Sequence, residues 1–191
     1  MERMTIMLTH KMTIAGLQRH LPICPVNENL SIGAFVIFGD AELTVACARD
    51  LLKIVPEYDY LITAEAKGIP LAHEMARQRE DDFYFVARKH PKLYMTSVFD
   101  VPVRSITTDA DQHLYLDGMD AERMKGKKIL LVDDVISTGE SLNALAVLVE
   151  QAGGIIVGKA CILAEGDAQE RPDIVYLEKL PLFHPDGTVM E

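Results

Sequence analysis

The chain has 191 residues, of which 49% are hydrophobic and 25% charged, a balance typical of a folded globular protein and sufficient for a single domain over residues 1–191. The formal net charge of −10 argues against broad nucleic-acid binding, because such binding depends on clustered Lys and Arg. The cysteines are widely spaced, and no window resembles a signal peptide or a membrane span. We therefore predict a cytoplasmic protein without a nucleic-acid or membrane partner.

The N-terminal part predicts short edge strands and extended loops. Residues 4–15 carry β-branched residues and methionines in a loosely alternating pattern, and two prolines punctuate residues 21–26. We expect residues 1–35 to form a small hood and residues 36–191 to form the core. The first predicted helix covers residues 40–55, where apolar residues recur at helical intervals, with Asp40 as the N-cap and Pro56 as the stop.

Strands and helices then alternate along the chain. Residues 59–63 and 83–87 are short apolar runs that predict buried strands, and a helix with Pro70 near its start lies between them. Residues 97–117 predict a long, partly mobile β-hairpin with a polar tip. A short helical turn at 120–126, a strand at 128–132, a helix after residue 139 and a strand at 155–164 follow.

This alternation predicts an α/β fold, a twisted and mostly parallel sheet with helices on both faces, plus the small N-terminal hood and a flexible β-hairpin loop. In such sheets, ligands bind beyond the carboxyl ends of the strands. Polar loops follow three of the predicted strands, at residues 65–68, 88–92 and 133–141. We therefore expect the functional site at one edge of the sheet.

The segment 129–142, ILLVDDVISTGESL, carries the most specific pattern in the chain. A run of aliphatic residues ends in Asp133 and Asp134, and a turn of hydroxyl residues and glycine follows where a helix begins. Hydroxyls and free backbone N–H groups at such a turn converge on an anion, whereas paired carboxylates accept hydrogen bonds from vicinal hydroxyls or hold a divalent metal. A ribose 5-phosphate offers both groups, and the spacing differs from that of a P-loop. The alternative for the aspartates is a helix cap or a structural salt bridge.

The same segment resembles the phosphoribosyl pyrophosphate signature of the type I phosphoribosyltransferases. Residues 63–68, TAEAKG, are similar to the pyrophosphate loop of that family, and residues 86–94, VARKHPKLY, are similar to the Arg-Lys segment of its purine members, such as the adenine phosphoribosyltransferases. The resemblance extends through most of the chain. It implies an enzyme that transfers ribose 5-phosphate from phosphoribosyl pyrophosphate to a nitrogen of a purine base in purine salvage, with Mg²⁺ on the pyrophosphate.

The resemblance also implies a role for each matching residue. Asp133 and Asp134 would contact the ribose hydroxyls directly or through Mg²⁺, and the turn would hold the 5-phosphate. Cations at the strand ends would stabilise the departing pyrophosphate, either within one protomer or across a homodimer. The implied substrate-binding residues are Ala66, Lys67, Gly68, Arg88, Lys89, Lys92, Val135, Ile136, Ser137, Thr138, Gly139, Glu140 and Ser141.

Two departures from the family pattern affect the expected chemistry. The hairpin tip, residues 105–112, is the expected closing loop, but it lacks the glutamate that adenine phosphoribosyltransferases use there as general acid or base. Asp109 is the expected substitute, with Asp111 as the alternative. Glu140 occupies a position where a second glycine is common, so its side chain is expected to point away from the anion.

Overall similarity favours adenine as the acceptor base, with xanthine, hypoxanthine or guanine as alternatives. The base is expected between residues 28–35 of the hood and Val135 and Ile136. A function from another class is a non-catalytic regulator that senses phosphoribosyl pyrophosphate and binds DNA. Such a regulator needs a basic face, usually in an extra domain, for which this acidic chain has no room.

Overall fold

Five parallel strands form the central sheet of the computed structural model, which describes residues 8–103 and 112–190. Their order across the sheet is β10, β9, β8, β4, β5, and all four pairings are parallel. The strands are β4 (Tyr60–Ala64), β5 (Phe85–Ala87), β8 (Lys128–Ile136), β9 (Ile155–Glu165) and β10 (Ile174–Leu180). The predicted parallel sheet is thus confirmed, and β10 is a strand that the sequence patterns had not indicated.

Helices cover both faces of this sheet, as predicted. The helices are α1 (Ala41–Leu51), α2 (Ile69–Arg79), α3 (Gly118–Met124) and α4 (Glu140–Gln151). One apolar cluster joins α1, α2 and the hood to one face through Leu130 and Val132, and a second joins α3 and α4 to the other face through Ile129 and Leu131. Alternate residues of β8 therefore face the two cores, which explains its continuous apolar sequence.

The N-terminal hood is an antiparallel sheet made of β1 (Thr9–Ile14), β2 (Leu17–Pro25) and β3 (Ser31–Gly33). Its fourth strand is β11 (Leu182–Phe183), which returns from the far end of the chain to pair with β3. The hood thus needs residues outside the predicted 1–35 segment. Arg19 of β2 contacts Asp40, the N-cap of α1, at 2.6 Å and so joins the hood to the core.

The predicted hairpin is also present. It consists of β6 (Phe99–Val103) and β7 (Gln112–Leu116), which pair antiparallel and pack against α4. Most of its tip, including Asp109, lies outside the described residues. In the described parts of the chain, no helix is both long and apolar enough to cross a membrane.

The strand before the signature turn is longer than predicted. It was expected to end at Val132, but β8 continues to Ile136 and pairs with β9 through Ala164. Asp133 and Asp134 therefore lie within the strand, where the ladder of backbone hydrogen bonds fixes their positions. This rigid placement matters for the site, because both carboxylates are held independently of the turn that follows.

Candidate active site

The carboxyl ends of β4, β5 and β8 meet at one edge of the sheet and surround a cavity of about 600 Å³, here called the main cavity. Residues from the hairpin form its remaining wall. The described lining residues are Ala64, Glu65, Ala66, Lys67, Lys89, His90, Val103, Gln112, His113, Leu114, Tyr115, Asp133, Asp134, Val135 and Ser141. The sequence-predicted residues Ala66, Lys67, Lys89, Asp133, Asp134, Val135 and Ser141 are thus brought together.

Asp134 is a buried carboxylate with a cationic partner. Its side chain is 3% exposed, and Lys67 Nζ lies 2.9 Å from Asp134 Oδ2. The ammonium is close enough for a charge contact but does not make a directed hydrogen bond with this oxygen, which has no hydrogen-bond partner within the described chain. The buried Asp134 carboxylate thus has the Lys67 ammonium as its charge partner at the edge of the main cavity.

Asp133 is half-buried and lines the main cavity. Its Oδ1 accepts a hydrogen bond of 2.9 Å from the backbone N–H of Asp134. Burial and the neighbouring Asp134 charge raise the pKa of Asp133 well above its ordinary value, and Lys67 only partly opposes this effect. The ionised pair is therefore destabilised without a ligand, and hydroxyl donors or a cation would relieve it.

The loop between β4 and α2 packs tightly against the aspartates. Gly68 precedes the first residue of α2, and Pro70 lies in the first turn, where its missing N–H is not needed. A Cβ atom at position 68 would lie 2.1 Å from Thr63 Oγ1 and 3.2 Å from Asp133 Oδ1. Only glycine fits there without a shift of Thr63 or Asp133.

The turn between β8 and α4 encloses a smaller cavity of about 100 Å³, here called the phosphate turn cavity. Its lining residues are Asp133, Val135, Ile136, Ser137, Thr138, Gly139, Glu140, Ser141 and Leu142. Gly139 has φ +78°, a left-handed conformation, and α4 begins at the next residue. The N-terminus of a 12-residue helix, flanked by hydroxyls, thus faces a pocket of the size of one phosphate group.

Arg171 is a cation at this turn that the sequence patterns did not indicate. A Cβ atom at position 139 would lie 2.5 Å from Arg171 Nη1. Two other guanidinium nitrogens, Nε and Nη2, donate to Asp173 at 3.0 and 2.9 Å, and Lys159 also donates to Asp173 at 2.8 Å. This bidentate pair fixes the guanidinium and leaves Nη1 beside the turn.

The basic segment after β5 is divided between two environments. The Lys89 side chain lines the main cavity, and its backbone N–H donates to Glu65 Oε2 at 2.9 Å. Arg88 lies 3.4 Å from Glu65 Oε1 and faces a neighbouring cavity of about 350 Å³ instead. Lys92 is half-buried and lies outside the main cavity. Of the three cations in this segment, Lys89 is therefore the one that lines the main cavity of the described chain.

The described residues contain no group of three or more His, Cys, Asp or Glu side chains that could hold a metal ion. Three carboxylates line the main cavity, and Glu65 is already engaged by the Lys89 backbone N–H and by Arg88, which leaves Asp133 and Asp134 as the candidate ligands. Mg²⁺ is commonly bound through one or two carboxylates together with substrate phosphates and water. The donor set thus fits a metal that arrives with a phosphorylated substrate, and it does not form a complete metal site by itself.

The chain matches the model of the phosphoribosyl transferase domain family over residues 40–184. It is 32% identical over 135 residues to a hypoxanthine/guanine phosphoribosyltransferase of Methanococcus voltae, covering 71% of this chain and 68% of that protein. It is 34% identical over 132 residues to a protein of the same name from Methanothermococcus okinawensis, covering 69% of this chain and 68% of that protein.

Solved structures show the same fold. The adenine phosphoribosyltransferase of Thermoanaerobacter pseudethanolicus superimposes with a TM-score of 0.64 at 22% identity, covering 75% of this chain and 84% of that one. The adenine phosphoribosyltransferase of Saccharomyces cerevisiae gives a TM-score of 0.58 at 18% identity, covering 88% and 93%. Together with the family match and the site geometry, these likenesses show that the chain belongs to the type I phosphoribosyltransferase family.

Proposed function

We propose that this phosphoribosyltransferase transfers ribose 5-phosphate from phosphoribosyl pyrophosphate to hypoxanthine or guanine, giving the nucleotide and pyrophosphate. The observation that carries the proposal is that two adjacent cavities share lining residues. The main cavity, with Lys67 and Lys89, and the phosphate turn cavity share Asp133, Val135 and Ser141. A molecule with a terminal phosphate, vicinal hydroxyls and a pyrophosphate matches this order of turn, carboxylates and cations.

Each part of the substrate has a matching set of groups. The helix N-terminus and the hydroxyls of Ser137, Thr138 and Ser141 would hold the 5-phosphate. Asp133 and Asp134 would accept hydrogen bonds from the ribose hydroxyls, which would offset the repulsion between the two carboxylates. The remaining turn residues, Ile136, Gly139 and Glu140, also line this cavity.

The cations of the main cavity would act on the leaving group. As the base nitrogen attacks the anomeric carbon, the bond to the pyrophosphate breaks and negative charge develops on the departing oxygen. Lys67 and Lys89 lie in the main cavity, and Ala66 and Gly68 belong to the same loop as Lys67. Positive charge at that position favours the transition state over the ground state, because the charge on the leaving group grows during the reaction.

Magnesium is the proposed cofactor. When bound, it would supply positive charge that stabilises the departing pyrophosphate. Asp133 and Asp134 are the residues that would hold it, with the substrate oxygens and water as the other ligands. The raised pKa of Asp133, caused by burial and by the neighbouring Asp134 charge, supports a cation at this position.

The choice of base rests on relatives rather than on the pocket. Overall similarity had favoured adenine, but curated relatives at 32% and 34% identity are named hypoxanthine/guanine phosphoribosyltransferases. The likeness to adenine phosphoribosyltransferases, at 22% and 18% identity, concerns the fold. We therefore place the 6-oxopurines hypoxanthine and guanine before adenine and xanthine.

We also propose a homodimer. Leu93 is fully exposed and Tyr94 is 65% exposed, both directly after the basic segment that contains Arg88 and Lys92. An apolar pair of this kind favours burial against another surface. A second copy of the chain placed there would bring Arg88 and Lys92 near a subunit interface. Light scattering coupled to size exclusion tests this, and a monomer at all concentrations would contradict it.

The function is tested by incubating the protein with phosphoribosyl pyrophosphate and Mg²⁺ and offering hypoxanthine, guanine, adenine, xanthine, uracil and orotate separately. Nucleotide and pyrophosphate are quantified by chromatography, and an Asp133→Asn, Asp134→Asn double variant serves as the matched control. We expect inosine or guanosine monophosphate from the wild type and a loss of at least about 100-fold in the variant. Tight binding of phosphoribosyl pyrophosphate without turnover of any base would instead favour the regulator.

A further inference from the structure

His113 forms a carboxylate–imidazole pair on the hairpin. Its Nδ1 lies 2.5 Å from Oδ1 of Asp100, which is on the facing strand. The ring also stacks on Tyr115 with a centroid distance of 5.9 Å and an interplanar angle of 20°. A carboxylate on one side and an aromatic ring along the strand thus fix the orientation of the imidazole.

This pair does not have the features of a stabilising surface ion pair. The His113 and Asp100 side chains are 30% and 47% exposed, and ion pairs with such exposure contribute at most about 1 kcal/mol to folding. The position of the ring is more informative, because His113 lines the main cavity together with Lys67, Lys89 and Asp133. An oriented imidazole therefore borders the cavity proposed for the activated sugar.

The contact with Asp100 determines which nitrogen can serve a ligand. When Nδ1–H donates to the carboxylate, the neutral ring carries its free lone pair on Nε2. Nε2 is then the ring nitrogen that can accept a proton. The same relation between carboxylate and imidazole orients general bases in enzymes of unrelated fold.

The proposed reaction needs such an acceptor. A purine reacts at a ring nitrogen that carries a proton, and this proton must leave as the bond to ribose forms. The hairpin tip lacks the glutamate found in adenine members of the family, and the substitutes expected there, Asp109 or Asp111, lie outside the described residues. Among the described residues of the hairpin that line the main cavity, His113 is the titratable side chain with a carboxylate partner.

We propose that His113 is the general base of the transfer and that Asp100 is its positioning residue. This inference rests on the proposed purine phosphoribosyltransferase function. The purine N–H bond breaks, and its electron pair forms the bond to the anomeric carbon. The bond from that carbon to the pyrophosphate oxygen breaks, and its electron pair leaves with the pyrophosphate. The proton is then on Nε2 of His113, from which pyrophosphate or water takes it.

The test measures kcat for nucleotide formation and, by calorimetry, the Kd of phosphoribosyl pyrophosphate with Mg²⁺. His113→Gln keeps a polar side chain but removes the proton acceptor. We expect its kcat to fall about 100-fold or more with the Kd changed less than threefold. Free imidazole is expected to restore part of the kcat of His113→Ala. His20→Gln, on an exposed position of the hood, is the matched control and keeps wild-type kcat.

Asp100→Asn provides a second, milder test. It preserves the shape of the side chain but removes the anion that selects the tautomer, so we expect kcat to fall about tenfold with the Kd unchanged. Wild-type kcat in both His113→Gln and Asp100→Asn, or a loss confined to Asp109→Asn, overturns the assignment while the proposed function stands. If the wild type turns over no base at all, both the proposed function and this inference fail.

Discussion

Lys67 Nζ lies 2.9 Å from Asp134 Oδ2, and the two side chains are exposed to very different extents, 46% and 3%. The lysine can be solvated without its partner, whereas the aspartate cannot. The two halves of this pair are therefore not equivalent for stability, although we propose the same substrate as a ligand of both.

This asymmetry predicts that Lys67→Ala destabilises the ligand-free protein more than Asp134→Asn does. The first change leaves a buried carboxylate without its cation. We expect it to lower the free energy of unfolding by about 1 to 2 kcal/mol, which is less than for a fully buried pair because Lys67 is half-exposed. The second change leaves only a lysine that water can reach. Urea unfolding of both single variants and the double variant measures the effect, with Lys53→Ala, at a more exposed pair, as control. Equal losses in the two single variants would contradict the prediction.

Asp133 predicts a conflict between stability and function. Its pKa is raised, so the folded protein holds this proton more tightly than the unfolded chain does. The resulting penalty is absent below the unfolded pKa of about 4, grows as pH rises towards the folded pKa and is complete above it. Asp133→Asn should thus increase the free energy of unfolding of the ligand-free protein at pH 8 by roughly 1 to 2 kcal/mol and raise its Tm accordingly. Near pH 4 the substitution should have little effect on either quantity.

The same variant should bind phosphoribosyl pyrophosphate more weakly, because an amide is a poorer acceptor for ribose hydroxyls and no ligand for Mg²⁺. Calorimetry at neutral pH measures this loss alongside the thermal scans. A lower Tm for Asp133→Asn at pH 8 than for the wild type would refute the electrostatic account of this carboxylate.

The tight packing around Gly68 predicts that a larger residue there destabilises the pyrophosphate loop by steric conflict. A Cβ atom there would lie 2.1 Å from Thr63 Oγ1, so Gly68→Ala is expected to cost about 1 to 3 kcal/mol and to weaken substrate binding. Thr63→Ala in the same chain removes the clashing hydroxyl and should recover part of both losses. The double variant separates steric conflict from conformational preference, because Gly68 has φ −70°, which alanine adopts without strain. No recovery in the double variant would exclude the clash as the cause.

The position of Arg171 predicts that this residue strengthens binding of the 5-phosphate. With Nη1 beside Gly139 and its other nitrogens on Asp173, the guanidinium adds positive charge next to a turn that also carries Glu140. Arg171→Ala is expected to raise the KM for phosphoribosyl pyrophosphate about tenfold and to leave kcat within about threefold, since the phosphate does not change charge during the reaction. Arg171→Lys should be intermediate, and Lys179→Ala, at an exposed ion pair, should match the wild type. An unchanged KM in Arg171→Ala would show that Arg171 does not contribute to binding of the 5-phosphate.

Local patterns were sufficient for much of the fold. Asp40 caps α1 as predicted, with its side chain accepting from the backbone N–H of Leu43, because capping depends on residues within one helical turn. The two loops that carry Lys67 and the Ser-Thr-Gly turn were likewise predictable, since each follows an apolar strand and precedes an amphipathic helix. Parallel strands then place both loops at one edge of the sheet.

Long-range relations could not be predicted from such patterns. Arg171 contacts a turn that is 32 positions earlier in the chain, and β11 joins the hood from residues 182–183. The contact between His113 and Asp100 depends on the register of the hairpin. His113 lies directly opposite Pro102, and its side chain reaches Asp100 diagonally across the two strands. Arg88, which is expected to act on the pyrophosphate within one protomer or across a dimer, lies 3.4 Å from Glu65 and lines the cavity beside the main one.

The central claim is transfer of ribose 5-phosphate to a 6-oxopurine, and the ratio of kcat/KM for hypoxanthine to that for adenine tests it most directly. Both bases are measured with the same enzyme preparation, saturating phosphoribosyl pyrophosphate and Mg²⁺, with the nucleotide product identified by chromatography. We predict a ratio of at least about 10, corresponding to about 1.4 kcal/mol of preferential transition-state binding. A ratio below 1, with adenosine monophosphate as the main product, would contradict the account.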